Sequence, residues 1–288
     1  MGRSLLDHRS QVSNECRTLA INARLFRPFW VQRKEFRVYS QFGDDGIIQW
    51  LINYLGLSRG SRFIEFGVGD YFESNTHFLL VNNRWEGFVI DGDAASIAMV
   101  KTSPIYWRYR FRAESHFINR RNITSLLEKS GFEKIELLRI DLDGNDYWIL
   151  ESLDLNVFRP EILILEYNAA FGSERLISVP YGSSFSRFDS HYSGKYFGAS
   201  LQALNDLALR RGYYFIGCNS AGNIAYFLSD PYRTLIPETD ISTGYQHSGF
   251  REARNEKGAL TFLDLGSEQK LLKGLPVINI ITGVQEML

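Results

Sequence analysis

Short apolar runs alternate with amphipathic stretches along most of this chain of 288 residues. The apolar runs predict strands at 62–66, 87–90, 105–111, 135–140, 162–166, 213–217 and 224–228. Apolar positions repeated at helical spacing predict helices at about 45–56, 74–82, 94–101, 122–130, 146–152 and 198–211. Strands that alternate with helices are typical of βαβ units, in which helices cover both faces of a parallel sheet. The pattern therefore predicts an α/β fold.

The last two predicted strands differ from the others because only residues 219–223 join them. This link consists of turn-forming residues and is too short for a crossover helix, so we expect an antiparallel hairpin at the sheet edge.

At the other end of the chain, the segment 1–38 carries eight Lys or Arg residues and three acids. We expect one helix there, at about 11–26, that mediates dimerisation, contacts a membrane surface or packs on the core.

The composition is that of an ordinary globular protein. The chain is 44% hydrophobic and 23% charged, which argues against global disorder. The two cysteines, Cys16 and Cys218, have no metal-binding spacing, and no apolar run is long enough for a signal peptide or a membrane span. We therefore expect a cytoplasmic protein without a transmembrane segment.

Charge is distributed unevenly although the formal net charge is only −1. Residues 101–121 hold six Lys or Arg residues and one acid, whereas residues 141–189 hold nine acids and three arginines. Two solvated faces are the commoner explanation of such runs. The alternative is a basic edge that holds an anionic, for example phosphate-bearing, substrate beside an acidic pocket. A net charge near zero gives no general attraction to nucleic acid.

Residues 63–70 (FIEFGVGD) carry the most informative motif, an apolar strand with Glu65 followed by Gly67 and Gly69. Glycines let the backbone turn sharply and approach a ligand, and ligands of open α/β sheets bind at the carboxyl ends of strands. A dinucleotide site requires a third glycine where Phe72 stands, and the chain has no Walker motif. The motif is instead similar to motif I of class I S-adenosylmethionine-dependent methyltransferases, in which the acid helps to position the methionine end of the cofactor.

The second predicted strand is followed by Asp91, Gly92 and Asp93. An acid at this strand end can accept both hydrogen bonds of a ribose diol, and we choose Asp91 for that role. For Asp93, capping of the next helix is an equal alternative.

Several spaced motifs resemble the FkbM-like family of class I methyltransferases. They are 40–46 (SQFGDDG), 65–70 (EFGVGD), 140–144 (IDLDG), 165–168 (LEYN), 196–201 (YFGASL), 217–219 (GCN), 250–252 (FRE) and 275–277 (LPV). The resemblance covers roughly residues 39–281. It implies a Rossmann-like fold with a seven-stranded, mostly parallel sheet, the last strand antiparallel, and helices on both faces.

The resemblance also implies a domain organisation and an activity. We expect an N-terminal helical segment (1–38), a catalytic domain (39–235) with an acceptor insertion at about 169–197, and a C-terminal extension packed on the core (236–288). The implied activity is methyl transfer from S-adenosylmethionine, here to a sugar hydroxyl in surface glycan or natural-product biosynthesis. One departure is Tyr71, which stands where many methyltransferases have a third loop glycine.

The expected cofactor contacts follow from these motifs, with residues 41–46 closing over the cofactor and either Asp44 or Asp45 capping the first helix. The full set of cofactor-binding candidates is Gln41, Glu65, Gly67, Gly69, Asn75, Asp91, Gly92, Asp93, Glu114 and Asp141.

Acids at the ends of the fourth and fifth strands are the catalytic candidates. Transfer to a hydroxyl requires loss of its proton, so a base, a metal ion or both are needed. Asp141 and Glu166 stand at these strand ends, and with Asn168 they offer the oxygen ligands that Mg²⁺ prefers. Some sugar and catechol O-methyltransferases have a similar arrangement. We expect Asp143 and Asp146 to face the start of the following helix instead, where negative charge is favourable.

The long insertion after the fifth strand is expected to build the acceptor pocket. His191 is the candidate base in it, with an exposed loop histidine as the alternative. The substrate-binding candidates are Asn168, Tyr181, Arg187 and Tyr192.

Two other function classes stay open. A nicotinamide-dependent oxidoreductase is disfavoured by the missing third glycine. A non-catalytic binding protein that retains the fold would be expected to lack the cofactor acids, yet Glu65, Asp91 and Asp141 are present. A nucleic-acid methyltransferase is disfavoured by the net charge and by the absence of an Asn-Pro-Pro-Tyr motif.

Overall fold

The computed structural model describes residues 31–57, 59–249 and 252–288. The helix expected at about 11–26, Cys16, and the motif residues 250 and 251 lie outside the described residues.

In the part of the chain that the structure describes, ten strands form two sheets. Their bounds are β1 Arg62–Phe66, β2 Glu86–Asp91, β3 Phe111–Ser115, β4 Leu137–Ile140, β5 Ile162–Glu166, β6 Ile177–Ser178, β7 Tyr213–Cys218, β8 Ile224–Ser229, β9 Pro276–Asn279 and β10 Gln285–Met287. The main sheet has seven strands in the order β3-β2-β1-β4-β5-β8-β7, and the small sheet has the order β10-β9-β6. Strands β1 to β5 of the main sheet run parallel, and β8 is antiparallel to both β5 and β7. The predicted seven-stranded sheet with an antiparallel last strand is confirmed.

The helices flank the main sheet. Their bounds are α1 Asp44–Tyr54, α2 Ala94–Thr102, α3 Pro104–Arg108, α4 Ile123–Lys129, α5 Asp146–Ser152, α6 Leu155–Phe158, α7 Arg187–Ser190, α8 Leu201–Arg210, α9 Ile241–Gly244 and α10 Leu265–Leu272. Short 3₁₀ or π-helical turns occupy Gln32–Lys34, Leu79–Asn83, Ala169–Phe171 and Asp230–Tyr232. Within the described residues, no helix is both long and apolar enough to cross a bilayer.

Both faces of the main sheet are covered, which explains why its strands are apolar at nearly every position. All five residues of β5 are buried. Leu163 and Leu165 belong to one hydrophobic cluster, whereas Ile162 and Ile164 belong to the other. This division follows from the alternation of side chains along a strand.

The strand predicted at 105–111 is wrong. Pro104 occupies the first turn of α3, which ends at Arg108, and β3 begins only at Phe111. Proline is favoured at the start of a helix because its missing N–H has no partner there anyway. This local signal outweighs the strand preference of Ile105, Tyr106 and Trp107.

The C-terminal residues pack on the insertion that follows β5. Strand β6 of the insertion pairs with β9. Arg175 forms an ion pair with Glu286 at 2.9 Å, and the Tyr196 hydroxyl donates to the Pro276 carbonyl oxygen. The small sheet therefore joins residues that are about a hundred positions apart.

Candidate active site

A cavity of about 490 Å³ opens where strands β1, β2, β4 and β5 end. Parallel strands bring their carboxyl ends to one edge, so the loops that follow them meet there. Ten of the residues predicted from the sequence line this cavity, namely Gln41, Gly67, Gly69, Asn75, Asp91, Gly92, Asp141, Glu166, Asn168 and Arg187.

The glycine loop after β1 combines one glycine that packs and one that faces open space. Gly67 (φ 73°) and Gly69 (φ 53°) both have left-handed backbone conformations. A Cβ added to Gly67 would overlap the Asp141 carbonyl oxygen, whereas one added to Gly69 would meet no atom within 4 Å. Gly67 is therefore required by the crossing of two loops, and Gly69 leaves the cavity open to a ligand.

Tyr71, which stands where many methyltransferases have a third loop glycine, has a left-handed backbone conformation. Its φ is 65°, and its side chain is fully buried. The ring packs on His77 and Phe111, and the hydroxyl lies 2.9 Å from Thr76 Oγ1. A left-handed conformation costs a non-glycine residue about 1–2 kcal/mol. Burial of an aromatic ring contributes about as much, so the packing of Tyr71 offsets the cost of its left-handed backbone.

Asp91 and Asp93 have different roles. Asp91 lines the cavity, where its Oδ2 accepts from the Gly69 N–H at 2.8 Å and its Oδ1 from the Asp93 N–H at 2.7 Å. Asp93 caps α2 by accepting from the N–H groups of Ala95 and Ser96. Its hydrogen bonds to Ser96 and Ala95 lower the pKa of its carboxyl. The capping alternative therefore describes Asp93, and Asp91 remains the candidate for the ribose.

Glu65 is fully buried behind the main cavity, in a polar cluster that the sequence did not reveal. It accepts from the Ser74 hydroxyl at 2.5 Å and from the Thr76 hydroxyl, and Arg139 Nη1 lies 2.9 Å from its Oε1 in an ion pair. Arg139 Nη2 donates to Asp141 Oδ2. Burial disfavours the charged guanidinium, but Asp141 and Glu65 outweigh that effect and raise the pKa of Arg139.

Arg139 thus connects Glu65, in the strand before the glycine loop, to Asp141, the residue directly after β4. An arginine inside the apolar run 137–140 was the available signal, because a buried charge requires a partner.

Neither Asp44 nor Asp45 caps α1, contrary to the prediction. The residue at the N-cap is Gly43, and no side chain caps the helix. Asp45 Oδ2 instead accepts from the N–H groups of residues 38, 39 and 40. Asp44 lines the cavity and accepts from the Tyr226 hydroxyl and the Asn219 amide. Burial raises the pKa of Asp44 to about 6.

Three carboxylates meet at the ends of β4 and β5. One oxygen from each of Asp141, Asp143 and Glu166 lies within 4.8 Å of the other two. The pKa of Glu166 is raised well above its ordinary value. Burial is the main cause, and the negative charge of Asp141 is the second. Asp143 does not face the helix start as expected, because it forms an ion pair with Arg187 at 2.9 Å.

Asp146 begins α5, as expected for an acid at a helix start. Its carboxylate accepts from the N–H groups of Leu142 (2.8 Å) and Gly144 (3.1 Å) and so holds the turn after Asp141. Burial, followed by the charge of Asp141, raises the pKa of Asp146 to about 7.

Asn168 lines the cavity, but its amide serves the backbone. Its Oδ1 accepts from the Ala170 N–H at 3.0 Å, and its Nδ2 donates to the carbonyl oxygens of Lys195 and Phe197, both at 2.9 Å. Asn168 therefore fastens the insertion to the end of β5. In this arrangement Asp143, not Asn168, is the third oxygen group beside Asp141 and Glu166.

Besides Glu65 and Asp93, four predicted residues do not line the cavity. His191 Nδ1 lies 2.7 Å from Ser193 Oγ, and burial lowers its pKa. The ring of Tyr192 packs against that of His191. The Tyr181 hydroxyl accepts from the Arg120 N–H, and Glu114 forms ion pairs with His116 and Lys129.

The cations that line the cavity come from outside the basic segment 101–121. They are Arg139, Arg187 and Lys195. Lys195 and Glu268 form a buried ion pair at 3.0 Å, which connects the insertion to α10. Phe117, Phe185 and Phe197 add aromatic walls. The three phenylalanines carried no sequence signal, because the paths of their loops decide which side chains face the cavity.

The sheet order, the antiparallel last strand and the glycine loop at the end of β1 define a class I methyltransferase fold. Residues 50–213 match the family described as the methyltransferase FkbM domain. This chain belongs to the FkbM methyltransferase family.

The solved structures that are similar to this chain are distant from it. The CurJ carbon methyltransferase shares 14% identity at a TM-score of 0.40, over 64% of this chain and 52% of that one. Aeropyrum pernix fibrillarin with bound S-adenosyl-L-methionine shares 9% sequence identity with this chain at a TM-score of 0.41. The match covers 59% of this chain and 67% of that one. M. capricolum TrmK with S-adenosyl-homocysteine shares 12% sequence identity at a TM-score of 0.37, and the match covers 69% of each chain. The present chain thus spans about half of the CurJ structure. The search of curated proteins gave no match.

Proposed function

We propose that this protein transfers a methyl group from S-adenosylmethionine to a sugar hydroxyl, in surface glycan or natural-product biosynthesis. The observation that carries the proposal is the arrangement of the glycine loop, with Gly69 open to the cavity and hydrogen bonded to Asp91, beside the carboxylates of Asp141 and Glu166. Membership in the FkbM methyltransferase family supports methyl transfer as the reaction.

The cofactor would occupy the side of the cavity formed by β1 and β2. Asp91 would accept from the ribose hydroxyls, and the open face of Gly69 would let the backbone approach the ligand. The acids of the cavity suit a cofactor that carries a positive sulfonium. That attraction alone does not accelerate the reaction, because the sulfonium charge disperses during transfer. We assign the larger contribution to in-line placement of the acceptor oxygen.

The acceptor would lie between the acidic edge and the insertion. Asp141 and Glu166 are the candidates to receive the hydroxyl proton, and the raised pKa of Glu166 suits a general base. Phe117, Phe185 and Phe197 offer flat surfaces on which a sugar ring can stack. His191 is not needed in this proposal, because its imidazole is bonded to Ser193 outside the cavity lining.

Calorimetric titration with S-adenosylmethionine, S-adenosylhomocysteine and NAD tests the cofactor assignment. We expect the two adenosyl compounds to bind and NAD not to bind. Asp91→Asn should weaken binding by about 10–100-fold, because hydrogen bonds to a charged group contribute about 1.5–3 kcal/mol. Glu114→Gln is the matched control, since Glu114 lies on the adjacent strand β3 but does not line the cavity.

Two results would contradict this proposal. Absence of adenosyl binding by folded protein would leave a non-catalytic binding protein as the better explanation. Equal losses of affinity for the adenosyl compounds in Asp91→Asn and Glu114→Gln would show that the cofactor does not bind at Asp91. After binding is established, transfer of a labelled methyl group to a panel of glycan acceptors tests the sugar hydroxyl.

A further inference from the structure

The acid cluster at the ends of β4 and β5 retains one buried carboxylate oxygen that has no hydrogen-bond partner among the described residues. Asp141 Oδ2 accepts from Arg139, and Asp143 Oδ1 pairs with Arg187 at 2.9 Å. Glu166 is 92% buried at the cavity wall, and its Oε2 has no hydrogen-bond partner among the described residues. A buried carboxylate oxygen without a partner is costly, so its presence points to a ligand.

The charges around this cluster do not balance. Asp141, Asp143 and Glu166 are joined by Glu65, which shares Arg139 with Asp141. The acids of this cluster outnumber the two guanidinium groups, Arg139 and Arg187, that pair with them. An excess of carboxylates over cations favours a cationic ligand, and a divalent cation meets that requirement.

The donor set also fits such a cation. One oxygen from each of the three acids lies within 4.8 Å of the others, so one ion could contact all three. Hard oxygen donors suit Mg²⁺ and Mn²⁺, and Mg²⁺ usually keeps several waters beside its protein ligands. A site at the wall of an open cavity leaves room for those waters or for a substrate oxygen.

We propose that Asp141, Asp143 and Glu166 form a binding site for one divalent cation of the Mg²⁺ type. This donor set differs from the one expected from the sequence, because the amide of Asn168 is bonded to the backbone. The ion would lie where the acceptor approaches and would favour the deprotonated form of its hydroxyl. That catalytic role rests on the proposed function, whereas binding of the cation does not.

Mn²⁺ binding followed by electron paramagnetic resonance tests the site directly, because bound Mn²⁺ loses the sharp signal of the free ion. We expect one site in the wild-type protein and at least about tenfold weaker binding in Asp143→Asn. Asn is chosen because Asp143 has a φ of 52°, a conformation that Asn tolerates well. Glu166→Gln provides a second variant of the same site, and Asp189→Asn is the control, an exposed acid that does not line the cavity.

The outcomes separate this site from the cofactor site. No Mn²⁺ binding by folded wild-type protein at millimolar concentration would overturn the cation site. Equal affinities in the wild type, Asp143→Asn and Glu166→Gln would overturn it as well. If adenosyl compounds bind normally in either case, the proposed methyl transfer stands without the metal. If Mn²⁺ binds as expected but adenosyl compounds do not, the cation site stands and the proposed function fails.

Discussion

Gly67 and Gly69 show that two glycines of one motif can be required for different reasons. Both have positive φ, yet only Gly67 is pressed against another backbone, at the Asp141 carbonyl. At Gly69 the space where a side chain would stand is open to the cavity. The first glycine therefore serves the fold, and the second leaves room for the ligand.

Replacement of each glycine by alanine should separate these two roles. We expect Gly69→Ala to fold, with a strain of about 1–2 kcal/mol from its left-handed backbone. Its melting temperature should fall by a few degrees, and its affinity for S-adenosylmethionine should fall at least about tenfold, because the added methyl group enters the cavity. We expect Gly67→Ala not to yield folded protein. Thermal melts and calorimetry provide the two measurements. Wild-type cofactor affinity in Gly69→Ala would contradict the role given to that residue.

Residues at strand ends were predictable from the sequence, whereas residues in the insertion were not. Asp91, Asp141 and Glu166 line the cavity because parallel topology brings the ends of their strands to one edge. His191 and Tyr192 lie in a loop whose path depends on packing. Their rings contact each other, and the His191 imidazole is hydrogen bonded to Ser193. Which side chain of such a loop faces a cavity has no periodic signature in the sequence.

At the scale of elements, continuous apolar runs predicted the central strands well because burial on both faces demands them. The same rule failed at 105–111, where a proline begins a helix before the strand. The small sheet was missed as well. Its strands have two to four residues each, too few for a pattern, and they pair across the chain between the insertion and the C-terminal residues.

The ion pair between Lys195 and Glu268 is a buried polar contact between those two regions. Both side chains are at least 93% buried. We expect Glu268→Gln to destabilise the protein by about 3–5 kcal/mol, because it breaks a buried ion pair by removing the charge of one partner. The exposed pair Asp206–Arg210 is the control, and Asp206→Asn should cost less than about 0.5 kcal/mol. Denaturant unfolding measures both, and similar losses in the two variants would contradict this expectation.

For the whole molecule, a net charge of −1 conceals a strongly acidic cavity. Its lining includes Asp44, Asp91, Asp141, Asp143 and Glu166, and its three cations are each paired with an acid. The basic segment 101–121 contributes no cation to this lining. The acidic part of the uneven distribution seen in the sequence therefore includes this cavity, whereas the cations of residues 101–121 lie outside its lining.

Asp44 should make global stability depend on pH. It connects α1 to the hairpin of β7 and β8 through Asn219 and Tyr226, and its pKa of about 6 exceeds the ordinary 3.8 because it is buried. The folded state therefore holds the Asp44 proton more tightly than the unfolded state does. The stability that this residue contributes is complete below pH 3.8 and is lost as the pH rises through 6.

Asp44→Asn removes this titration and isolates its effect. As the pH rises from 4 to 7, the variant should gain about 2.4 kcal/mol of unfolding free energy relative to the wild type, because one unit of pKa difference corresponds to about 1.4 kcal/mol. A change in the hydrogen bonds from Tyr226 and Asn219 shifts both ends of the range equally, so the change with pH is the informative quantity. Denaturant unfolding at several pH values measures it. A constant difference between the two proteins would show that Asp44 ionises in the folded protein as readily as in the unfolded chain.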